Sequence, residues 1–257
     1  ITMMLQAQRD AAWGEVARRL AHEIKNPLTP IQLSAERMRR RFLGNMSDQD
    51  AQVLERATHT IVQQVEAMKQ MVNAFSEYAR TPEMTLTPFD LNQLVTEVAE
   101  LYRSQDSRVQ VRLELDPSPA ELEADRGRVR QILNNLMTNS MEALEGRGDA
   151  QVQIATRFDT ASGQPLAEIT VADNGPGFAS DIISQVFDPY VTSKPKGTGL
   201  GLAIVKKIVE EHGGWIEAEN RRTGGARVRV TLPLNERARA NLLPRDPRKN
   251  EPRRERA

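Results

Sequence analysis

The sequence of 257 residues contains no cysteine, so it can form neither a disulfide bond nor a thiolate. This absence fits a reducing compartment. The sequence also lacks net charge, because 35 basic side chains balance 35 acidic ones, and no overall field draws the chain to nucleic acid or to an anionic membrane. No run of 18 apolar residues occurs, so we predict no membrane span and no membrane contact from this piece.

The first residues lack the basic and then apolar layout of a signal peptide. The sequence begins with Ile1 and is already in helical register, which suggests a fragment of a longer protein. Any sensing or membrane region would then lie upstream of this piece. The content of 39% hydrophobic and 27% charged residues is ordinary for a soluble globular protein, and the length allows one or two domains.

Two stretches in the first third carry apolar residues at steps of three and four, which predicts two long helices. Pro27 and Pro30 lie inside the first, where we expect a bend rather than a break. The turn between the helices falls at 44–48, with Ser47 or Asp48 as N-cap. The two stripes are Val16, Leu20, Ile24, Leu28, Ile31, Ala35, Met38 and Phe42, then Val53, Ala57, Ile61, Val65, Met68, Val72, Phe75 and Ala79.

Two antiparallel helices with narrow apolar stripes cannot bury those stripes alone. Pairing with a second copy would give a dimeric four-helix bundle, and this is the organisation that we predict. The alternative is a helical hairpin that packs on another domain.

A linker is predicted at 81–88, where two prolines interrupt the periodicity. Helices and alternating strands follow, which predicts an α+β sandwich with one sheet covered by helices on one face. The domains are therefore predicted at 1–82, 83–235 and 236–257. The last is a tail rich in arginine and proline, predicted to be disordered, with a basic contact arm as the less favoured reading. The helices of the second domain are predicted at 90–101, 126–144 and 198–211, and its strands at 109–115, 120–124, 151–158, 166–172, 215–219 and 226–232.

His22 is one of only three histidines, and it stands beside a carboxylate, Glu23. At about 100° per residue it lies on the helix side opposite Ile24, so we expect it to face solvent. A neutral imidazole is a competent nucleophile near pH 7, and Glu23 is placed to act as base or to orient the ring. For an isolated surface histidine the ordinary interpretation is an inert side chain, and His59 and His212 are given that interpretation.

Three stretches of the second half suggest a nucleotide site. Asn135 and Asn139 are four residues apart on one helix face, and an amide oxygen can ligate Mg²⁺, although helix asparagines usually face solvent. Asp173, Gly175 and Gly177 follow a strand, where the aspartate could accept a hydrogen bond from adenine or could form a simple turn. The third stretch, Gly197, Thr198, Gly199, Leu200 and Gly201, leads into a helix whose N-terminus suits phosphate oxygens.

The segment between the second and third stretches, 187–196, is polar and weakly periodic. It predicts a mobile lid, with Lys194 either as a phosphate contact or as a solvated lysine.

The motifs His-Glu-x-x-Asn-Pro, Asn-x-x-x-Asn, Asp-x-Gly-x-Gly, Phe-Asp-Pro-Tyr and Gly-Thr-Gly-Leu-Gly occur in this order within residues 5–233. The sequence thereby resembles the two-component sensor histidine kinases, and the wording of 21–37 is most similar to the NtrY-type nitrogen-regulation kinases. The resemblance implies a histidine phosphotransfer domain that dimerises, followed by a Bergerat-type ATP-binding domain. One departure is Tyr190, where phenylalanine is common.

The resemblance also implies roles for these residues. His22 would take the phosphoryl group of ATP-Mg and pass it to an aspartate on the receiver domain of a response regulator, and Asn26 would position water for dephosphorylating that partner. Asn139 would bind Mg²⁺ with help from Asn135, Asp173 would recognise adenine, and Lys194 would approach the phosphates. Two other functions stay open: an ATP-sensing module acting mainly on a partner's phosphorylation state, and an ATPase of the gyrase or chaperone kind.

Overall fold

A computed structural model describes residues 2–79, 84–106, 108–118, 121–160, 165–194, 197–235 and 237–239; side chains are described from Val16 onward, except at Arg18. The contacts divide the chain into two compact units, one within 1–83 and 188–201 and the other within 84–187 and 202–257. Among the described residues, no helix is long and apolar enough to cross a membrane.

The first unit contains two long helices. Helix α1 spans Thr2–Phe42 and continues through both prolines, and α2 spans Asp48–Ala79 after a short 3₁₀ turn at Leu43–Asn45. The Ser47 hydroxyl accepts the Asp50 amide N–H at 3.3 Å and donates to the Asp50 carboxylate at 2.6 Å, so Ser47 is the N-cap. The predicted hairpin and its turn are confirmed, and the prolines do not break α1.

The predicted stripe on α1 proves to be two adjacent stripes. Ala17, Ala21, Leu28 and Ala35 are buried, and the three alanines are small enough to permit close helix packing. The neighbouring apolar positions stay exposed, in agreement with the expectation that the two helices cannot bury their stripes alone. These exposed side chains, called the open stripe below, are Val16, Leu20, Ile24, Ile31, Met38 and Phe42.

The second unit is built around a five-stranded mixed sheet in the order β2-β4-β5-β7-β6, beside a two-stranded sheet of β1 and β3. Strand β2 is parallel to β4, and the other pairs are antiparallel. The strands are β1 Thr87–Asp90, β2 Gln110–Glu114, β3 Glu121–Ala124, β4 Gln151–Asp159, β5 Leu166–Asp173, β6 Trp215–Asn220 and β7 Ala226–Pro233. The helices are α3 Leu91–Gln105, α4 Arg126–Ala143 and α5 Gly201–Glu211.

The core of this unit lies between the helices and one face of the larger sheet. Side chains alternate along the strands, so that Val152 and Ile154 are fully buried while Gln153 and Arg157 are not. Helix α3 contacts β2, and α4 contacts β4 and β5. Aspartates cap two of these helices: Asp90 accepts the Gln93 N–H at the start of α3, and Asp125 accepts the Arg128 N–H at the start of α4.

The structure differs from the sequence predictions in three places. Thr87 and Pro88 begin strand β1 although they were assigned to the linker, because pairing with β3 compensates for a proline at a strand edge. That pairing also makes a second sheet, where one was expected. Helix α5 begins at Gly201 rather than at 198, because residues 197–200 form an irregular turn with Gly199 at a φ of 66°. Ala120 and the tail beyond 239 lie outside the described residues.

Candidate nucleotide site and phospho-acceptor helix

Asp173 ends strand β5 with its side chain only 5% exposed. Its Oδ1 accepts the backbone N–H groups of Gly175 at 2.8 Å and Ala226 at 3.2 Å, and its Oδ2 accepts the Ser140 hydroxyl at 3.3 Å. No described lysine or arginine forms an ion pair with this carboxyl group, so hydrogen bonds alone satisfy its buried oxygens. The two oxygens therefore differ: Oδ1 is committed to the backbone, and Oδ2 retains capacity to accept a further donor.

Two glycines allow the backbone to close around Asp173. A Cβ on Gly175 would lie 2.9 Å from Oδ1 of Asp173 and 3.2 Å from the Ala143 carbonyl oxygen. A Cβ on Gly225, which has a φ of 91°, would lie 2.0 Å from the Asp173 carbonyl oxygen. These approaches are possible only without a side chain. The predicted glycine requirement therefore extends to Gly225, which was not expected.

The turn after Asp173 is fixed from a distant strand end. The Asn220 side chain accepts the Phe178 N–H at 2.7 Å and donates to the Phe178 carbonyl at 2.8 Å. Gly177 lies under this bridge with a φ of 78°, and a Cβ there would be 2.6 Å from the Asn220 oxygen. Arg221 donates to the Asp173 carbonyl at 2.8 Å. These hydrogen bonds within the protein fix the shape of the loop, and such preorganisation favours binding.

Helix α4 brings the asparagine pair to the same region. Ser140, which bonds to Asp173, directly follows Asn139, and both Asn135 and Asn139 are half-buried. The structure thus places the Asp173 loop and the second half of α4 together within one unit. Within the described residues, no group of three or more His, Asp or Glu side chains could hold a metal ion.

The segment from Asp188 to Gly201 belongs to the other unit and makes local contacts. Tyr190 is the only described non-glycine residue with positive φ, at 68°, and its N–H donates to the Gly199 carbonyl at 2.9 Å. A Cβ on Gly199 would lie 2.5 Å from the Tyr190 carbonyl carbon. The Thr198 hydroxyl accepts the Leu200 N–H, Leu200 is buried, and Lys194 is half-buried. Tyr190, noted only as a departure from the family, thus occupies a strained backbone position.

His22, Glu23 and Asn26 are all exposed on α1, and His22 and Asn26 lie on the side away from most of the open stripe. Glu23 accepts a hydrogen bond from Arg19 Nε at 3.1 Å, a pair that is itself exposed. His22 and Asn26 are four residues apart and therefore share one helix face. The expected accessibility of His22 is confirmed, although Glu23 pairs with Arg19 rather than with the histidine.

His212 has a different environment from the inert surface site that was expected, because its side chain is fully buried. One ring nitrogen lies 2.7 Å from the Ile208 carbonyl, and the other accepts the Asp125 N–H at 3.2 Å. Burial lowers the pKa of His212, and the nearby Arg239 lowers it further. His212 therefore joins the end of α5 to the start of α4 as a neutral ring. Nothing in its neighbourhood in the sequence distinguishes it from an exposed histidine.

Two family models match this chain. The His Kinase A (phospho-acceptor) domain matches residues 12–83. The Histidine kinase-, DNA gyrase B-, and HSP90-like ATPase matches residues 124–236. The catalytic domain of histidine kinase ThkA is 33% identical with a TM-score of 0.54, and the alignment covers 60% of this chain and 99% of that one. The chain belongs to the histidine kinases, and its ATPase domain implies ATP binding.

Among curated proteins, the chain is similar to NtrY and to NtrY-like sensor histidine kinases. Nitrogen regulation protein NtrY of Azorhizobium caulinodans is 42% identical over 239 residues, which are 90% of this chain and 30% of that protein. A putative NtrY-like sensor histidine kinase of Rickettsia bellii is 35% identical, with 90% and 37% covered. ThkA in complex with the response regulator TrrA is 28% identical with a TM-score of 0.62, over 89% of this chain and 64% of that one. The chain thus spans only about a third of the length of these curated relatives.

Proposed function

We propose that this chain is the catalytic core of a sensor histidine kinase that transfers the γ-phosphoryl group of ATP to His22 and then to an aspartate of a response regulator. The observation that carries the proposal is the Asp173 loop: a buried carboxylate with one oxygen held by the backbone and one able to accept a donor. The exposed His22 on a separate helical unit supplies the acceptor. Phosphoryl transfer requires mainly positioning of the reactants and stabilisation of charge. A preformed nucleotide loop at Asp173 and an accessible histidine on α1 would meet these requirements.

Asp173 is assigned to adenine recognition because its Oδ2 can accept the exocyclic amine. Replacing Asp173 by asparagine tests this sharply. The new Oδ1 can keep both backbone hydrogen bonds, and the Ser140 hydroxyl can turn to accept from the amide, so the fold should persist. The outward atom becomes a donor, however, and faces the donor of adenine.

We expect D173N to bind ATP on the order of 10- to 100-fold more weakly, since a hydrogen bond to a charged group contributes about 1.5–3 kcal/mol. Isothermal titration calorimetry measures the affinity, and a thermal melt checks the fold. A Gln153→Ala variant on the opposite sheet face serves as the control. Unchanged ATP affinity in a folded D173N protein would remove Asp173 from the site.

Asn139, supported by Asn135, is assigned to Mg²⁺. Its amide oxygen is a hard ligand of the kind that Mg²⁺ accepts, and with no carboxylate cluster among the described residues the remaining ligands would be phosphate oxygens and water. The metal would supply charge neutralisation at the phosphates. Asn139→Ala is expected to weaken ATP binding in the presence of Mg²⁺ more than in the presence of EDTA. Equal weakening in both conditions would assign Asn139 to the nucleotide or the fold instead.

The glycine-rich segment and Lys194 are assigned to the phosphates. Gly175 and Gly177 shape the loop, while Thr198, Gly199, Leu200 and Gly201 would cover the triphosphate, with Lys194 approaching it. Helix α5 begins at Gly201, so its first N–H groups have no intrahelical partner.

The acceptor assignment has a direct test. Incubation with ATP labelled at the γ-phosphorus should give an acid-labile, base-stable label on the wild type and none on His22→Gln. His59→Gln is a matched control, because His59 is also exposed on the same hairpin. ATP affinity should be unchanged in both variants. Label that persists in His22→Gln would overturn the assignment of His22.

We also propose that the chain is a homodimer and that its partner is the receiver domain of a cognate response regulator. The open stripe supports the dimer, because six apolar side chains lie side by side on α1 without cover from α2. By its likeness to longer relatives, the chain would be the cytoplasmic portion of a sensor held at the inner membrane by a segment outside it.

A second activity is proposed for Asn26, which shares the exposed face of His22. Its amide could position a water that attacks the phosphorylated regulator. Loss of phosphorylated regulator should slow with Asn26→Ala, while autophosphorylation of His22 continues. If decay is the same with both proteins, Asn26 has no part in it.

A further inference from the structure

The face of the larger sheet that is turned away from the helices carries a depression of about 530 Å³. It crosses four strands along one row of cross-strand neighbours: Arg157 on β4 pairs with Glu168 on β5, Glu168 with Thr231 on β7, and Thr231 with Trp215 on β6. The Trp215 ring forms one wall and is 41% exposed. This surface lies outside the nucleotide loop and has no part in the proposed function.

The lining of the depression is acidic. Four carboxylates, of Asp116, Asp159, Glu168 and Glu217, meet two guanidinium groups, of Arg157 and Arg229, which leaves a net charge of −2. Arg229 contacts Glu217 at 3.1 Å and Glu168 at 3.4 Å. The backbone N–H groups of Ser118 and Phe158 lower the pKa of Asp116, which is therefore ionised at neutral pH. An acidic hollow with an accessible tryptophan face suits a guanidinium group, which can pair with carboxylates and stack on the ring.

The chain itself passes the rim of this depression after the last strand. Leu234 donates to the Pro165 carbonyl at 2.9 Å, next to Leu166 in the lining. Arg239 is 9% exposed, and it donates to the carbonyls of His212 at 3.0 Å and Glu123 at 3.1 Å. A Cβ on Gly213 would lie 3.0 Å from Arg239 Cγ, and Gly213 precedes Trp215 by two residues. The last described residue therefore lies within a few residues' reach of Trp215.

The 18 residues after Arg239 are basic in sequence, with six positive side chains against three negative ones. The positive residues are Arg245, Arg248, Lys249, Arg253, Arg254 and Arg256. At about 3.3 Å per residue, this length can reach any point of the depression. We propose that the depression is the docking site of this basic segment, residues 240–257, from the same chain. The opposite charges and the position of Arg239, held beside Gly213, carry the proposal.

The test uses the intact protein and two properties of its sequence: it has only two tryptophans and no cysteine. Fluorotryptophan then gives two ¹⁹F signals, and Asn250→Cys accepts a single nitroxide spin label. With a docked segment, the Trp215 signal should lose more than half of its intensity relative to the reduced label, while the Trp13 signal stays. The loss should be reversed by about 0.5 M NaCl, where the screening length falls well below 10 Å.

Two controls separate docking from mere tethering. A protein with the same label, but with the six basic residues of the segment changed to glutamine, should keep the Trp215 signal. The double variant Asp159→Asn with Glu217→Gln should also keep the Trp215 signal, because it removes two carboxylates from the depression. Glu219→Gln changes a residue on the same strand as Glu217 but outside the depression, so this variant should lose the Trp215 signal as the wild type does.

Equal loss in the neutralised segment, equal loss at both tryptophans, or no loss at all would overturn the proposal. A further experiment mixes fluorinated protein without the spin label and spin-labelled protein without fluorine. Loss of the Trp215 signal in this mixture would also overturn the proposal, because the segment would then dock on another copy of the chain.

Discussion

Replacing Ile31 and Met38 by alanine is expected to weaken the proposed dimer without harming the helix. Both side chains belong to the open stripe and are 46% and 40% exposed. Alanine has a higher helix propensity than either residue, so α1 itself should form at least as well. The perturbation therefore acts on whatever covers the stripe.

The magnitude follows from the exposed fractions. Complete burial of such a side chain contributes about 1.5–3 kcal/mol. Because somewhat less than half of each side chain is still exposed, burying the rest in the dimer would contribute about 1 kcal/mol per side chain. A symmetric dimer contains four of these side chains, and alanine retains part of each. The double variant should thus lose about 3 kcal/mol, which raises the dissociation constant on the order of 100-fold.

Sedimentation velocity over a dilution series measures this change, and circular dichroism checks the helix. Leu33→Ala is the matched control, because Leu33 is 55% exposed on α1 but lies on the side opposite the stripe. Equal dissociation constants for the control and the double variant would refute the assignment of the stripe to the interface, as would a wild type that stays monomeric at every concentration.

Two further predictions concern stability. Gly224→Ala and Gly225→Ala both place alanine at positive φ, which costs about 1–2 kcal/mol, but a Cβ at 224 meets open space while one at 225 meets the Asp173 carbonyl at 2.0 Å. Thermal melts should show a clearly larger loss for Gly225→Ala, together with weaker ATP binding, and similar melting temperatures would contradict the close approach. Burial lowers the pKa of His212 below its ordinary value of 6.5, so at pH values below 6.5 the unfolded chain binds more protons than the folded one. The free energy of unfolding should therefore decrease as the pH falls below 6.5, by at most about 1.4 kcal/mol per pH unit. Denaturant unfolding between pH 7 and 5 should show a flatter dependence for His212→Gln than for His59→Gln, and parallel curves would exclude His212 as the cause.

Much of the fold could be predicted because periodicity and caps are local. The two long helices, the cap at Asp90 and the β4–β5 hairpin all follow from spacing and turn residues in short windows. The stripe on α1 was harder, since apolar residues at steps of three and four identify a helix face but do not tell which half of it meets α2. The small size of Ala17 and Ala21, which permits close helix packing, was the available indication.

The candidate site was predictable where a motif is continuous in sequence, as at Asp173, Gly175 and Gly177. Its supports were not, because they come from elsewhere in the chain. Asn220 and Gly225 reach the loop from the ends of β6 and β7, and only the strand pairing brings them there. His212 shows the same limit: its burial depends on the meeting of α4 and α5, and no local pattern encodes that meeting.

The two prolines inside α1 also change the backbone hydrogen bonding beside His22. Proline has no N–H, so the carbonyls of Glu23 and Asn26 cannot accept the usual hydrogen bond from four residues ahead, at Pro27 and Pro30. Because this turn is exposed, both carbonyls are left to solvent. Two backbone carbonyls free of this helical hydrogen bond therefore lie next to His22, and they remain when the side chain of residue 23 or 26 is removed.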